Sequence, residues 1–474
     1  MNKSSADVRA ELDHPVIDAD GHVQEYVPAA LPYLREAMGS KVFDRYQERS
    51  TAIAQIMGTG SPEWRLERRL PQSAWWGTPA ENTRDLATAV FPGLLVERMG
   101  ELGVDYSVLF PTKAFGTAGI DDDELRHGVA RGWNDFYADK YGPYSRHLTV
   151  GGVIPMHTPE EAIAELEHCA ELGLKVIAMP EGVYRPIPVV DEHGSPFLTP
   201  GATHWYDTFG IDSAHDYDTV WAACQRLGFA VSIHGGMGHP APNGFTSPTN
   251  YSFNHIGAFA EKNHRLVKSL FMAGVTRRFP GLPIAVLECG VSWGAQLLND
   301  LCEHWEKRNA DGIRSLDPAT IDWDTFAELA ERFGADMLVT GRDLRADLAA
   351  VPAVGVPPAD TDDWRFLDVA SEQELCDDFA DHFYFGCEAD DRGLVFAFHA
   401  SNAGGAQLKP IFSSDIGHWD VPDMAETVAE AWELVEDGWL TAEQYRSFTC
   451  DNPAELLTRV NPDFFKGTTV EGLV

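Results

Sequence analysis

The chain has 474 residues, with 36 Lys or Arg and 73 Asp or Glu, which gives a formal net charge of −37 at pH 7. A surface of this sign repels phosphate backbones, and no run is apolar enough to span a bilayer, so we expect neither a nucleic-acid nor a membrane partner. The seven cysteines form no CxxC pair and the first residues lack the apolar core of a signal peptide, which indicates a reduced, cytoplasmic protein.

The first predicted strand, over residues 16 to 23, carries three ionisable side chains. Because alternate residues of a strand point to the same side, we expect Asp18, Asp20 and His22 to share one face. Two carboxylates and an imidazole are costly to bury unless a cation or a network of hydrogen bonds receives them. The stretch is interpreted as the start of a metal site, with a hydrogen-bonded polar turn as the alternative. Asp18 lies deeper along the strand and is expected to orient a neighbour.

Seven further apolar runs are long enough to form buried strands. They span residues 104–110, 148–156, 174–179, 229–234, 284–287, 383–387 and 408–413. Helical patterns lie between most of them, for example from Thr158 to Leu172, and this alternation is typical of a parallel α/β architecture. Together with the first strand the count is eight, which predicts a (β/α)8 TIM barrel with helical insertions.

We expect one domain over residues 1–474, because α/β barrels reach this length when they carry insertions. Three segments do not fit a minimal barrel and are interpreted as insertions, at about 27–100, 183–216 and 306–380. The second is rich in Pro, Gly and His and is expected to form a long loop over one end of the barrel. The third includes a predicted helix from Trp323 to Phe333, and its role as a lid or as a homodimer contact is left open.

Acidic and imidazole side chains follow the C-terminal ends of the predicted strands, where α/β barrels build their active sites. The candidates at these positions are Asp20, His22, Glu181, His234, Glu288 and Asp415. Their nitrogen and oxygen donors suit Zn, Fe or Mn, while soft thiolate ligands are absent from these positions. The sequence therefore predicts a metal site at this end of the barrel.

Three histidines are weaker candidates for the same site. His239 lies in a Gly- and Pro-rich loop, and His418 follows the last predicted strand. His304 falls on the helical face that carries Leu297 and Leu301, which suggests either a packed core histidine or a ligand. The predicted metal set includes His239 and His304 beside the six strand-end residues.

Three motifs at the strand ends resemble those of the amidohydrolase-related metal enzymes, a TIM-barrel group of hydrolases and non-oxidative decarboxylases. They are Asp-x-His at residues 20–22, His-Gly-Gly at 234–236 and Ser-Asp-Ile-Gly-His-Trp-Asp at 414–420. The group usually carries His-x-His on strand one, a His on strands five and six, and an Asp on strand eight. The resemblance implies the barrel fold and a metal-dependent enzyme.

The ligand pattern of this chain departs from that of the group at two positions. His22, His234 and Asp415 agree with the pattern, whereas Asp20 and Glu288 stand where the group usually has histidines. The candidate site is therefore richer in carboxylates than a mononuclear hydrolase needs. Carboxylate-rich sites that also contain histidine and keep open positions suit ferrous iron and dioxygen.

These carboxylates, and an Asn-Pro-Asp-Phe-Phe segment at 461–465, look closer to one branch, the TIM-barrel non-heme diiron monooxygenases, which hydroxylate terpenoid or CoA-linked acids. This resemblance implies two Fe ions with Glu181 or Glu288 as a bridge, a small-molecule acid or CoA thioester as substrate, and dioxygen with an electron donor as partners. The alternative is an amidohydrolase-type Zn-dependent hydrolase or non-oxidative decarboxylase that uses the same residues. Asp415 and Glu288 are the expected catalytic residues, and Asp415 is the base in the hydrolytic alternative.

Two Glu-x-x-His pairs, at 124–127 and 165–168, match the signature of helical-bundle diiron proteins. On their predicted helices both pairs lie away from the apolar face, so they are interpreted as surface pairs. A Gly-x-Ser-x-Gly match at 290–294 imitates an α/β-hydrolase, but Asp415 and His418 are too close together to complete its triad.

Overall fold

The computed structural model describes residues 3–72, 81–187, 203–235, 246–317, 320–334, 337–349 and 362–474. Its strands are β1 (Ile17–His22), β2 (Tyr106–Phe110), β3 (Leu148–Val153), β4 (Val176–Ala178), β5 (Val183–Pro186), β6 (His204–Asp207), β7 (Val231–His234), β8 (Ile284–Leu287), β9 (Phe383–Cys387) and β10 (Lys409–Phe412). None of the helices in these ranges is long and apolar enough to cross a membrane.

The α-helices surround the strands or lie in the segments between them. They are α1 (Ser5–Glu11), α2 (Val27–Thr59), α3 (Pro62–Arg68), α4 (Thr83–Val90), α5 (Pro92–Leu102), α6 (Asp123–Tyr141), α7 (Pro159–Glu171), α8 (Asp218–Leu227), α9 (Tyr251–His255), α10 (Ala258–Met272), α11 (Val275–Arg278), α12 (Ser292–Arg308), α13 (Trp323–Phe333), α14 (Leu344–Ala349), α15 (Glu372–His382), α16 (Thr427–Glu436), α17 (Ala442–Arg446) and α18 (Asn452–Thr458). A helix therefore follows most barrel strands, as the alternating pattern predicts.

Eight of the strands form a closed parallel ring. β1 to β4 pair side by side in chain order, and so do β7 to β10. A parallel bridge between Met179 and Ile233 joins the end of β4 to β7. The Asp415 N–H donates to the Asp20 carbonyl at 3.0 Å, which joins the end of β10 to β1. The predicted (β/α)8 TIM barrel with helical insertions is confirmed.

The interior of the barrel is apolar where the strands begin. Ile17, Tyr106 and Val176 are buried there, on the inward faces of β1, β2 and β4. Phe464 and Phe465, from the C-terminal segment, close this end, with ring centroids 6.1 and 5.5 Å from that of Tyr106. Buried ionisable groups gather at the opposite end, where the strands finish.

The segments interpreted as insertions contain ordered elements. Residues 27–100 hold α2 to α4 and most of α5. The segment 183–216 was expected to be a loop, but its described part forms an antiparallel hairpin of β5 and β6, while residues 188–202 lie outside the described ranges. In the segment 306–380 the predicted helix is confirmed as α13. The assignment of residues 1–474 to one domain stays a prediction.

Helix α2 approaches α6 closely at two glycines of α6. A Cβ atom on Gly132 would lie 2.7 Å from the Cα of Leu34, and one on Gly128 would lie 2.4 Å from the Cβ of Met38. The neighbour at Gly132 is backbone, so α2 itself would have to move to make room. Small residues therefore allow the first insertion to pack directly on the helical layer of the barrel.

We predict that Gly132→Ala lowers the free energy of unfolding by about 1–3 kcal/mol, because the added methyl group forces α2 away from α6. Gly100→Ala in α5 is the matched control, since nothing lies within 4 Å of a Cβ atom there and alanine favours a helix over glycine. Urea unfolding of both variants measures the difference. Equal stability of the two variants would contradict the close contact between α2 and α6.

Candidate metal centre

Six ionisable side chains converge where β1, β7, β8 and β10 end. They are Asp20, His22, His234, Glu288, Asp415 and His418, and all six are buried. Their candidate ligand atoms form two overlapping groups, and within each group these atoms lie within 4.8 Å of one another. The two groups share His22 and Glu288, so these six residues form one continuous cluster, which we call the centre.

A one-residue bulge in β1 decides which of its side chains reach the centre. Ile17 and Asp18 pair with the first two residues of β2, but Gly21 and His22 pair with its last two, so β1 has one extra residue between them. The bulge reverses the alternation, so that Asp18 faces outward while Asp20 and His22 face the interior. The expectation that Asp18, Asp20 and His22 share one face is therefore wrong.

Asp18 instead supports the strands around the centre. Its carboxylate is fully buried and accepts hydrogen bonds from the Ser107 hydroxyl at 2.7 Å and from the Ser414 N–H at 3.1 Å. The first bond links β1 to β2 and the second links it to the segment that follows β10. Asp18 thus holds the backbone on either side of Asp20 in place, which agrees with the orienting role predicted for it.

The His22 imidazole lies in the middle of the centre. Its Nε2 atom is 2.6 Å from Glu288 Oε1, 3.3 Å from Asp415 Oδ1 and 3.7 Å from Asp20 Oδ1. The Nε2 atom of His234 lies 3.2 Å from that of His22 and 3.4 Å from Glu288 Oε1. Carboxylate oxygens from three strand ends and two imidazole nitrogens are therefore directed at one small volume.

His418 belongs to this cluster, although the sequence ranks it only as a weaker candidate. Its Nδ1 atom lies 2.7 Å from Asp415 Oδ1 and 3.2 Å from Glu288 Oε1. Its ring stacks on that of His22, with centroids 3.6 Å apart. A hydrogen bond of 3.2 Å between its Nε2 atom and the Thr112 hydroxyl fixes the far side of the ring.

Two of the three carboxylates sit on strained backbone. Glu288 and Asp415 have φ angles of 48° and 50°, in the left-handed region that residues with a Cβ atom rarely adopt. Each such residue costs about 1–3 kcal/mol, and such strain concentrates at functional sites. Both residues follow barrel strands directly or within three positions, so the strain occurs where each strand turns and its carboxylate meets the others.

The pKa values of the residues in the centre are strongly shifted because their charges are buried close together. Burial raises the pKa of Asp20 to about 8 and lowers that of His22 to about 3. Burial also raises the pKa of Asp415, and the nearby Glu288 carboxylate adds to this effect. The carboxylates of Glu288 and Asp20 outweigh burial at His234 and raise its pKa to about 9. The cluster therefore lacks enough positive charge to match its carboxylates.

A cation fits this arrangement. Asp20 Oδ1, Glu288 Oε1 and Asp415 Oδ1 are buried, and the side-chain groups closest to them are the imidazole nitrogens of the centre. Burying three carboxylates so close together costs several kcal/mol unless a cation or bound protons neutralise them. The donor set of imidazole nitrogens and carboxylate oxygens suits Zn, Mn or Fe.

The second nitrogen of His234 and the second oxygen of Asp20 are already bound to the protein. The Nδ1–H of His234 donates to the Gly235 carbonyl at 3.0 Å, which leaves the lone pair of Nε2 facing the centre in the neutral ring. The Ser413 hydroxyl donates to Asp20 Oδ2 at 2.6 Å, which leaves Oδ1 facing the centre. Such outer hydrogen bonds orient the ligands of metal sites in proteins.

Glu181, which the sequence also places in the metal set, lies outside the centre. Its side chain is fully buried, and its Oε1 atom lies 2.9 Å from the ammonium of Lys262 on α10. A cation of the protein itself therefore balances this carboxylate. Glu181 belongs to neither of the two groups of candidate ligands among the described residues.

His304 also lies outside the centre. It is exposed near the end of α12, and its Nδ1 atom hydrogen-bonds the Asp300 carbonyl at 2.7 Å. Leu297 and Leu301 are buried as the helical face predicts, but the last turns of α12 extend beyond the core, so His304 on the same face is left in solvent. His239 falls in residues 236–245, outside the described ranges.

The Glu165 side chain is buried, contrary to its interpretation as part of a surface pair. It accepts hydrogen bonds from the Asn134 amide at 2.8 Å and from the Arg131 guanidinium at 3.0 Å. His168 binds Asp135 at 2.7 Å, so the two members of this Glu-x-x-His motif have different partners. The rejection of this motif as a diiron site agrees with these contacts.

A cavity of about 390 Å³ opens beside Glu288. Its acidic wall consists of Glu388, Asp390, Asp391 and Asp420. Burial, followed by repulsion from Asp420 and Glu288, raises the pKa of Glu388 to about 8. This wall is not among the site residues predicted from the sequence, although three of its carboxylates form an acidic run directly after the predicted strand 383–387, where a barrel places functional residues.

The amidohydrolase family matches residues 17–459 of the chain. No curated protein matches this chain by sequence. Among solved structures, an amidohydrolase from Mycobacterium avium subsp. paratuberculosis is 15% identical, with 78% of this chain and 74% of that chain covered and a TM-score of 0.48.

Two further solved structures are decarboxylases. The 5-carboxyvanillate decarboxylase from Sphingomonas paucimobilis is 16% identical, with 94% of this chain and 98% of that chain covered and a TM-score of 0.47. The dihydroxybenzoic acid decarboxylase from Polaromonas sp., which contains manganese and the inhibitor 2-nitroresorcinol, is 15% identical, with 94% and 97% covered and a TM-score of 0.48.

The prediction of a non-heme diiron monooxygenase is wrong. The family that matches nearly the whole barrel is that of the amidohydrolases. The findings agree with the alternative, a metal-dependent hydrolase or decarboxylase, and do not support the predicted iron, dioxygen, electron donor or CoA thioester. The Lys262 contact of Glu181 also removes one of the two bridging ligands that a diiron site was expected to use.

We predict that His234→Ala weakens binding of Zn²⁺ or Mn²⁺ by more than about tenfold, since even the outer partners of metal ligands contribute that much. His304→Ala is the control and is expected to keep the wild-type affinity, because this side chain is exposed and outside the centre. Equilibrium dialysis followed by elemental analysis measures both. Equal losses in the two variants, or no loss in either, would argue against the centre.

We predict that Glu388 makes the protein less stable as the pH rises. Its pKa is about 8 in the folded protein against an ordinary value of 4.5, so the folded state binds the extra proton between these values. Stability is therefore lost progressively from about pH 4.5 to 8, at up to about 1.4 kcal/mol per pH unit. Chemical unfolding from pH 5 to 9 should show a shallower decline in Glu388→Gln than in the wild type. If the free energy of unfolding fell equally with pH in both proteins, the pKa of Glu388 would not be raised.

Proposed function

Because the chain belongs to the amidohydrolase family, we propose that it is a metal-dependent hydrolase that cleaves an amide-type C–N bond of a small organic molecule. The observation that carries the proposal is the convergence of three buried carboxylates and three imidazoles at the carboxyl ends of the barrel strands. Active sites of TIM-barrel enzymes are built at this end. The predicted single domain, 1–474, would supply all of these groups.

One of the two groups of candidate ligands in the centre would hold the metal ion. Its members are Asp20, His22, His234 and Glu288. A divalent ion supplies Lewis-acid polarisation of a carbonyl and lowers the pKa of water. The groups overlap at His22 and Glu288, and we propose one ion, Zn²⁺ or Mn²⁺, per chain. Elemental analysis of the purified protein tests this number against the two Fe ions of the sequence-based prediction.

Asp415 is the proposed general base and acid. It accepts a proton from the water whose oxygen attacks the carbonyl carbon, and it returns that proton to the amine nitrogen as the C–N bond breaks. Burial and the neighbouring Glu288 carboxylate raise its pKa, which strengthens it as a base. His418, whose Nδ1 lies 2.7 Å from Asp415 Oδ1 and whose ring stacks on His22, orients the carboxylate.

The charge of the centre favours hydrolysis over decarboxylation. Once deprotonated to hold the ion and to act as a base, the carboxylates of Asp20, Glu288 and Asp415 would together carry three negative charges, which exceed the charge of one divalent ion. A substrate carboxylate that approached the ion would be repelled by this excess, whereas a neutral amide carbonyl would not. Hydrolysis is therefore the reaction that these residues support best.

We predict that the metal-loaded protein releases amines from amides and that Asp415→Asn lowers kcat by about 10²–10⁴-fold, the usual contribution of a general base. Asp423→Asn, an exposed carboxylate on the same segment, is the control and should keep wild-type kcat. Amine release and CO2 release are assayed on a panel of amides and aromatic acids, with the metal content of each variant measured separately. Release of CO2 without hydrolysis would show a decarboxylase instead.

A further inference from the structure

We propose that the cavity beside Glu288 binds an organic cation, so that the substrate is an amide that carries an ammonium or guanidinium group. This inference rests on the proposed function, because it names the substrate class of the same site. It differs from the chemistry of the decarboxylases described above, which by their names act on aromatic acids.

The acidic wall of the cavity has no cation of the protein to neutralise it. None of the residues that line the cavity is Lys or Arg, and among the described residues none of its four carboxylates forms an ion pair with Lys or Arg. The sequence segments outside the described ranges contain no Lys or Arg at all. No Lys or Arg of the protein therefore competes with a ligand cation for this wall.

The nearest basic residues along the chain are engaged elsewhere. The guanidinium of Arg392, which follows the acidic run, lies 5.3 Å from the ring centroid of Trp439. The Lys262 ammonium on α10 lies 2.9 Å from Glu181. Asp391 has a structural contact as well, since its Oδ1 atom accepts a hydrogen bond from the Gly393 N–H at 2.7 Å. Unlike Asp391, Glu388 and Asp390 of the same acidic run accept no side-chain hydrogen bond among the described residues, so they are available to a ligand.

The raised pKa of Glu388 reflects burial and the negative charges of the other carboxylates in the wall. Its pKa of about 8 arises from burial and from repulsion by Asp420, Glu288 and Asp390, in that order. A ligand cation in the cavity would relieve this repulsion, whereas a ligand carboxylate would add to it. The same wall that disfavours a carboxylate thus favours an ammonium group.

An aromatic wall faces the same space. His255, Phe259 and Trp419 line the cavity. The rings of His255 and Trp419 have centroids 5.4 Å apart, and those of His255 and Phe259 are 5.6 Å apart. Aromatic faces attract organic cations through cation–π interactions, which are strongest for Trp. Carboxylates and aromatic rings that line one cavity form a site that binds an organic ammonium better than a hydrated inorganic ion.

The experiment compares three ligands of similar size on the metal-loaded full chain. Benzyltrimethylammonium is cationic and has no lone pair with which to ligate the metal, benzyl alcohol is neutral, and benzoate is anionic. Titration calorimetry at 150 mM salt should give an affinity for the cation at least about tenfold above that for the alcohol, with benzoate weakest. Tighter binding of benzoate, or no preference for the cation, would overturn the proposal.

A pair of double variants separates the cavity from the general charge of the protein. The net charge of −37 attracts any cation weakly, so the control must remove the same charge elsewhere. Glu388→Gln/Asp390→Asn should abolish the preference for the cation, whereas Glu328→Gln/Glu331→Gln on the exposed face of α13 should keep it. Equal effects of the two double variants would show that the attraction is non-specific.

These measurements distinguish failure of this inference from failure of the proposed function. Ligand binding needs no turnover, so a clear preference for the cation without amide hydrolysis would contradict the hydrolase alone. Hydrolysis of anionic or neutral amides, with no preference for the cation, would contradict the cationic substrate alone. Thermal unfolding and metal content check that each variant is folded and loaded, and the comparison of the three ligands on the wild type stands without any variant.

Discussion

The structure depends on one electrostatic constraint, the burial of three carboxylates within a few ångströms of one another. Asp20, Glu288 and Asp415 direct buried oxygens at a common volume. Beside them the pKa of His22 is lowered to about 3 and that of His234 is raised to about 9. Such a concentration of buried charge is costly unless protons neutralise it or a cation balances it. The end of the barrel that contains them is therefore organised as a receptor for positive charge.

The barrel enforces this arrangement through its backbone. The bulge in β1 turns Asp20 and His22 inward, and the hydrogen bond from the Asp415 N–H to the Asp20 carbonyl fixes two ligand segments against each other where the ring closes. The left-handed backbone at Glu288 and Asp415 adds strain that the surrounding strands must support. The wall of the cavity beside Glu288 is also acidic, so the centre and this cavity have the same electrostatic preference for a ligand.

Part of this account could be read from the sequence, because barrel strands and their polar ends leave a strong pattern. The eight apolar runs and the residues that follow them identified the fold and five of the six members of the centre, and His418 was among the weaker candidates. The bulge left only a weak sign, because Gly21 is typical of a bulge inside a strand but does not show which side chains change face. The partner of Glu181 comes from α10, and the exposure of His304 depends on where α12 leaves the core, so neither could follow from local sequence. The prediction of a monooxygenase was wrong because it treated carboxylates in place of histidines as a sign of iron, although the same donors also suit Zn²⁺ or Mn²⁺.

The most direct test is a crystal structure of the protein soaked with Mn²⁺ or Zn²⁺, with the ion located by its anomalous scattering. We expect one ion bound by His22 and His234 nitrogens and by carboxylate oxygens of Asp20 and Glu288, at about 2.0–2.2 Å. An ion found away from these four residues, or none at full soaking, would contradict the metal centre on which the account rests.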